Sequence, residues 1–430
     1  MRRPFTLLTL LSLVAACALP ARAMDIRACS APVVFRGAAV NALVLPWRAD
    51  GATSRDAVLS ASRQISSLAH LQLLMAMLKY SSVGAVDLVA EPGRSCDVDN
   101  VLATVSRTGT PTGTLARGQA VLAIWGRLFE QDGELFLQTY LRFARQGAQG
   151  LAPETISLDW GGARFEAALP AQALSFAPRR IRLDELARID AASRAALQVR
   201  EQPSEASPGV EIGRSFHESF PYAIVEARGD WMRVAPMRPG LPAGWLRARP
   251  AGDAADWQLA RWLPELDFAD AIAGWLRLQV GGLQPAERER MASAVEAGLT
   301  RYEQAVPGDL APSAWGLGAA LRGQLAWTQG RRAEAAELFA KALQRLPASA
   351  AGTNLAAVAS LAGTKPDAAA MGQLSQRLLA ALALSPRDPQ VLGNLQALYG
   401  VYAKYPAWSP WPPAELAERR EMLRLASGGQ

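Results

Sequence analysis

The first part of the chain alternates between strand-like and helix-like patterns of apolar residues. Residues 42–45 form an apolar run closed by Pro46, which predicts a short buried strand. Thr53 with Asp56 is a capping-box variant, and the apolar residues after it recur at roughly helical spacing. Residues 84–90 then predict a second strand.

The clearest predicted element is a β-hairpin. Residues 121–130 and 134–143 are strand-like runs around Gln131-Asp132-Gly133, and the second run has Leu135, Leu137, Leu141 and Phe143 on one face. Together these elements predict a small α/β domain over residues 24–178. Their order, with Gly126-Arg127 in the hairpin, resembles the N-terminal domain of TolB and related envelope lipoproteins. That resemblance implies a non-catalytic domain that docks on other envelope proteins.

A polar, proline-bounded stretch at 201–208 predicts a linker, which we assign to residues 179–207. An all-β pattern follows at 208–250. Its Gly229-Asp230-Trp231 turn and its Gly244-Trp245-Leu246 triplet resemble bacterial SH3-like domains, which implies a small closed barrel.

Aromatic residues mark the candidate ligand site of this all-β module. Trp231 and Trp245 supply apolar area that a small barrel otherwise lacks, so we expect them in the core, with a ligand-facing role as the alternative. The SH3-like resemblance implies a groove for peptide or peptidoglycan, with Phe220 and Tyr222 as its walls.

Strand patterns end near Asp256, and proline-punctuated helical patterns predict an all-α domain over residues 251–430. Six residues within it resemble a tetratricopeptide repeat by their spacing: Gly323, Gly330, Ala335, Phe339, Ala342 and Pro347. Small side chains at Ala335 and Ala342 allow two antiparallel helices to approach, Phe339 fills the space between them, and Pro347 ends the second helix. Ala319 and Ala326 depart from the pattern, since the family usually has aromatic residues there.

The neighbouring repeats are degenerate. Pro347 and Pro386 are 39 positions apart, against about 34 in the family, so residues 363–366 are expected to lengthen a turn. Because one repeat cannot bury its own apolar face, we expect about three helix pairs in a short solenoid. Plain helical packing without a peptide groove is the alternative.

The N-terminus resembles a bacterial export signal over residues 1–23, with a cationic start, an apolar run and a small-residue cleavage pattern. Cleavage after Ala23 predicts a periplasmic protein. Cys17 lies in a sequence that resembles a lipobox, so the alternative is a lipid anchor on Cys17 in the outer membrane, the only membrane contact we expect. The remaining cysteines, Cys29 and Cys96, predict a disulfide bond because exported proteins with an even cysteine count usually pair them.

Charge and motifs argue against several further classes of function. Removal of residues 1–23 lowers the formal charge from +6 to +3, and no dense basic cluster is present, so nucleic acid is not an expected partner. The chain has two histidines and no recognisable metal, nucleophile or phosphate-binding motif, which predicts neither an enzyme nor a cofactor. We therefore expect a multidomain envelope adaptor that binds a protein or peptide partner. The alternative is a peptidoglycan-binding protein, or an accessory to a cell-wall hydrolase, that uses the SH3-like module.

Overall fold

A computed structural model describes residues 37–50, 56–77, 83–87, 98–106, 115–147, 150–170, 172–195, 197–212, 222–228, 231–237, 239–247 and 263–427. The predicted signal, the three cysteines, Phe220 and the Gly229-Asp230 turn lie outside these residues. Within them, the chain has an N-terminal β-rich region with sheets and a C-terminal helical region. No described helix combines the length and the apolar character needed to cross a membrane.

The strands are β1 (Val40–Ala49), β2 (Val83–Asp87), β3 (Ala120–Gln131), β4 (Glu134–Gly147), β5 (Gly150–Ala152), β6 (Thr155–Trp160), β7 (Ala163–Ala168), β8 (Ala173–Ser175), β9 (Arg179–Ile181), β10 (Gln198–Arg200), β11 (Gly209–Glu211), β12 (Tyr222–Arg228), β13 (Trp231–Pro236) and β14 (Gly244–Arg247). The helices are α1 (Asp56–Met77), α2 (Val98–Ser106), α3 (Leu183–Ala195), α4 (Glu265–Val280), α5 (Pro285–Ala305), α6 (Pro312–Thr328), α7 (Arg332–Arg345), α8 (Ala350–Ala359), α9 (Ala368–Leu384), α10 (Pro389–Lys404) and α11 (Pro413–Ala426), with a short 3-10 helix at Pro406–Trp408.

The main sheet has the order β2-β1-β3-β4-β5, with β8 and β9 also paired to β4. Strand β1 runs parallel to β2 and β3, whereas β3 and β4 form the predicted antiparallel hairpin. Alternating side chains of β3 face opposite layers. Leu122 and Ile124 join the large core, and Val121 and Ala123 pack in a smaller cluster with residues of α2.

The large core continues from this sheet into the helical region. Helix α4 is buried on every side over most of its length, and its buried residues include the charged side chains of Glu265, Asp270 and Arg277. Its Trp275 meets Phe143 of β4 edge to face, with ring centroids 5.6 Å apart, and its Phe268 meets Phe176 at 5.8 Å. The described parts of the predicted first and third domains therefore share one hydrophobic core.

Residues 179–207, for which we predicted a linker, contain β9, α3 and β10. Strand β9 pairs with β4 of the main sheet, and β10 pairs with β11 and β14 of a second sheet. The polar stretch at 201–208 is the turn between β10 and β11. Arg200 Nη1 closes this turn by donating to the main-chain oxygens of Glu205 and Ser207, at 3.0 and 2.6 Å. The stretch at 201–208 is therefore polar because it forms a solvent-facing hairpin turn.

The second sheet has the order β11-β10-β14-β13-β12 and is antiparallel throughout. The predicted closed barrel is not observed, because the described edge strands β11 and β12 do not pair with each other. One face of this open sheet carries a separate small core that includes Val199, Met232, Val234 and Leu246.

The helical region after α4 and α5 consists of successive helix pairs, α6 with α7, α8 with α9, and α10 with α11. Prolines open α5, α6, α10 and α11 at positions where no main-chain donor is needed. Ser349, Asp367 and Asp388 cap α8, α9 and α10 through their side-chain oxygens. We call α6 to α11 the helical array.

Candidate functional site

One face of the helical array holds a β-hairpin of the same chain. Strands β6 and β7 lie against α8 and α10, with Phe165 fully buried. Trp160 Nε1 donates to the main-chain oxygen of Thr364 at 2.9 Å. Helices α6, α8 and α10, the first members of the three pairs, therefore face polypeptide within the molecule. We call this surface the inner face.

Two asparagines of the inner face recognise the hairpin through its main chain. Asn394 Nδ2 donates to the oxygen of Glu166 at 2.7 Å, and the Glu166 main-chain N–H donates to Asn394 Oδ1 at 2.9 Å. Asn354 Nδ2 donates to the same Glu166 oxygen at 3.0 Å, and Asn394 Nδ2 also donates to Asn354 Oδ1. The two asparagines are 40 positions apart, close to the spacing of the predicted repeat.

Glutamines extend this recognition along the hairpin. The Ala168 main-chain N–H donates to Gln390 Oε1 at 2.8 Å, and Gln324 Nε2 donates to the oxygen of Thr155 at 3.4 Å. Sequence reasoning missed these residues because it searched for small and apolar repeat positions. For Asn354 and Asn394, the recurrence of asparagine after 40 positions was a signal that could have identified them.

The predicted repeat residues meet between α6 and α7. Phe339 is fully buried and lies against Gly323, where an added Cβ would stand 2.7 Å from its ring. Ala335 and Ala342 are also fully buried on α7. Gly330 has a positive φ of 79° in the turn between the two helices. This pair is therefore held together by close contact of small and aromatic residues.

A cleft of about 560 Å³ opens between α7, α8 and α9. Its walls are mostly apolar and small, and include Ala336, Ala340, Leu343, Pro347, Gly352 and Ala356. Arg377 of α9 lines one side and is exposed. We call this the outer cleft, since the hairpin covers the inner face instead. Its chemistry suits an apolar group with a neighbouring negative charge.

The three described aromatic candidates for the ligand site, Tyr222, Trp231 and Trp245, lie on opposite faces of the second sheet. Tyr222 belongs to the small core and is 3% exposed, and burial raises the pKa of its hydroxyl. Trp231 and Trp245 lie on the other face, opposite Arg247 and Arg233 in the strand register, where Trp245 is only 7% exposed and Trp231 is half-buried. Tyr222 therefore cannot wall a groove beside the two tryptophans.

Two buried carboxylates, Glu265 of α4 and Glu154, are paired with arginines of the β-rich region. Glu265 Oε1 lies 3.2 Å from Arg179 Nη2, and Glu154 Oε1 lies 2.9 Å from Arg145 Nε. Burial raises the pKa of both carboxyls, and the neighbouring arginines oppose that shift. Among the residues that the structure describes, no three His, Cys, Asp or Glu side chains form a group that could hold a metal ion.

Comparison with known proteins leaves the site to be interpreted from its own residues. No family model, no curated protein and no solved structure matches the chain.

Proposed function

We propose that this protein is an exported, non-enzymatic adaptor of the cell envelope, which binds protein partners through a tetratricopeptide-like helical array and an SH3-like sheet. The observation that carries the proposal is the outer cleft. It combines a volume of about 560 Å³ with apolar walls and one exposed cation, Arg377. Clefts of this size and composition are typical of binding sites.

The inner face gives separate support for a function in protein binding. Its asparagines and glutamines bind the main chain of an extended segment, so the array has the chemistry for holding polypeptide. The hairpin already occupies that face, and Phe165 anchors it in the core. We therefore assign partner binding to the outer cleft, where a partner would insert an apolar side chain and place a carboxylate beside Arg377.

A blocking substitution tests this assignment. Ala340 is exposed and lines the outer cleft, so Ala340→Trp should fill the cleft without disturbing the core. Ala333 is exposed on the same helix and does not line the cleft, which makes Ala333→Trp the matched control. The three immobilised proteins would be compared for the proteins that they retain from envelope extract.

We expect the unmodified chain and Ala333→Trp to retain the same partner, and Ala340→Trp to lose it. Arg377→Glu should weaken retention as well, because it reverses the charge beside the cleft. Equal retention by all the variants would contradict the outer cleft as the partner site. Retention of nothing by the unmodified chain would contradict the adaptor function.

A further inference from the structure

We infer that the outward face of the second sheet binds an acidic polypeptide segment through arginines placed beside two tryptophans. This inference rests on the proposed adaptor function and deepens it, because it names the chemistry of a partner for a second surface. We call this surface the arginine–tryptophan face. It consists of Arg200, Arg228, Trp231, Arg233, Trp245 and Arg247, together with the carboxylates of Glu205 and Glu226.

The strand register builds this face. Directly opposed residues of antiparallel strands point to the same side, and here Trp231 stands opposite both Arg228 and Arg247. Trp245 likewise stands opposite both Arg200 and Arg233. The residues between them in β13 and β14 belong to the small core on the other side. Each indole is therefore flanked by two guanidinium groups.

The arginines contact the indoles as well as lying beside them. The guanidinium carbon of Arg228 lies 5.1 Å from the centroid of the Trp245 ring, and that of Arg247 lies 5.7 Å from the Trp231 ring. These are cation–π distances, which hold the planar guanidinium groups in place against the sheet. Preorganised arginines lose less conformational entropy on binding a ligand than free ones.

Carboxylates of the chain already occupy part of this face, and they show which ligand it fits. Glu205 bridges Arg200, at 3.1 Å, and Arg247. Glu226 bridges Arg228, at 2.6 Å, and Arg233, at 3.7 Å. Each carboxylate thus serves two arginines. Since one guanidinium group has five N–H donors, donors remain in excess over these acceptors.

Two of the arginines are accessible to a partner. The side chains of Arg228 and Arg233 are 63% and 59% exposed. Val225, at the irregularity in the pairing of β12, is 57% exposed beside them and offers an apolar contact. Both of these arginines face Glu226, so an acidic residue of a peptide would reach them by taking the place of that carboxylate. The anions that the arginines already hold are carboxylates of a polypeptide, which favours acidic side chains over phosphates as the ligand.

Fluorescence anisotropy with a defined probe tests the inference on the full chain. The probe is a labelled peptide in which Glu alternates with Ser, and its control has Gln at every Glu position. We expect the acidic peptide to bind, the Gln peptide not to bind, and the affinity to fall with ionic strength. The double variant Arg228→Gln/Arg233→Gln should lose about tenfold or more in affinity, since it removes two charge-assisted contacts.

Two further variants make the outcome specific to this face. Arg182→Gln/Arg424→Gln removes two exposed arginines that form similar ion pairs elsewhere, and should leave the affinity unchanged. Glu226→Gln removes the internal competitor for Arg228 and Arg233, so it should tighten binding about three- to tenfold. Weaker binding by Glu226→Gln would overturn the idea that this carboxylate marks a ligand position.

Other results would overturn the inference as a whole. These are equal binding of the two peptides, no effect of Arg228→Gln/Arg233→Gln, or tighter binding to single-stranded DNA, to vesicles with anionic phospholipid or to purified sacculi. The last three would assign the face to a nucleic acid, a membrane or peptidoglycan. Because Ala340→Trp tests the outer cleft separately, loss of the present inference leaves the adaptor function open to its own test.

Discussion

Gly323→Ala tests how closely α6 and α7 approach each other. An ideal Cβ at this position would lie 2.7 Å from Cδ1 and Cε1 of Phe339, and 3.2 Å from its Cζ. Phe339 is fully buried, so its ring cannot turn out into solvent to make room. The added methyl group must therefore push the two helices apart or strain the Phe339 rotamer.

The expected free-energy change has two opposing parts. Overpacking of a tight core costs about 1 to 3 kcal/mol. Replacing glycine by alanine inside a helix stabilises it by about 1 kcal/mol. Gly400 separates the two parts, because it lies in α10, is exposed, and has no heavy atom within 4 Å of its ideal Cβ. Gly400→Ala should therefore show the stabilising part alone.

Urea denaturation followed by helical circular dichroism would measure both variants. We expect Gly400→Ala to raise the midpoint and Gly323→Ala to lie about 1 to 3 kcal/mol below it in unfolding free energy. A double-mutant cycle with Phe339→Leu should show coupling, because the smaller side chain relieves the contact. Equal shifts for the two alanine variants, or no coupling with Phe339→Leu, would refute close packing at this crossing.

The remaining predictions concern buried polar groups. Asn394→Ala removes the bonds to both main-chain groups of Glu166 and should lower the unfolding free energy by about 1 to 3 kcal/mol, whereas the exposed change Gln396→Ala should stay within about 0.5 kcal/mol in the same urea titration. A similar loss in both variants would contradict main-chain recognition by the inner face. For Glu265, burial raises the pKa in the folded protein above the value of about 4.3 typical of an unfolded chain, so folding takes up a proton and the free energy of unfolding falls as pH rises from about 4 through the folded pKa. Glu265→Gln should remove that part of the pH dependence, and an unchanged pH profile of stability would contradict the raised pKa.

Local pattern was sufficient for the elements whose partners lie next to them in the chain. The β3–β4 hairpin follows from alternating apolar residues around Asp132-Gly133, both of which adopt the positive φ that this tight turn needs. The helices from Pro312 onward follow from proline starts and from the spacing of small residues around Phe339. The β-rich first part and the helical last part of the chain were predictable for the same reason, since periodicity of two or 3.6 is a local property.

Which residues of the second sheet face its core was not predictable in this way. In Trp231-Met232-Arg233-Val234 a large apolar residue stands at both alternating positions, so the pattern does not say whether the tryptophan or the methionine faces the core. The structure places Met232 in the small core and Trp231 among arginines. Strands β10 and β14 determine which face is buried, because their residues Val199 and Leu246 complete an apolar layer only on the side of Met232.

Contacts between residues far apart in the sequence determined the features that local pattern did not predict. Strands β6 and β7 are short and polar on one side, and their position depends on Asn354 and Asn394, which lie 188 and 228 positions away from Glu166. Helix α4 is largely apolar, but its pattern does not say between which layers it lies, nor that Glu265, Asp270 and Arg277 are buried with it. The sequence by itself therefore determined the β3–β4 hairpin and the proline-bounded helices, but not the strands and the helix within residues 179–207, which were predicted as a linker. Only the tertiary structure showed that the inner face is occupied by a hairpin of the same chain, because a main-chain hydrogen bond leaves no side-chain pattern in the segment it holds.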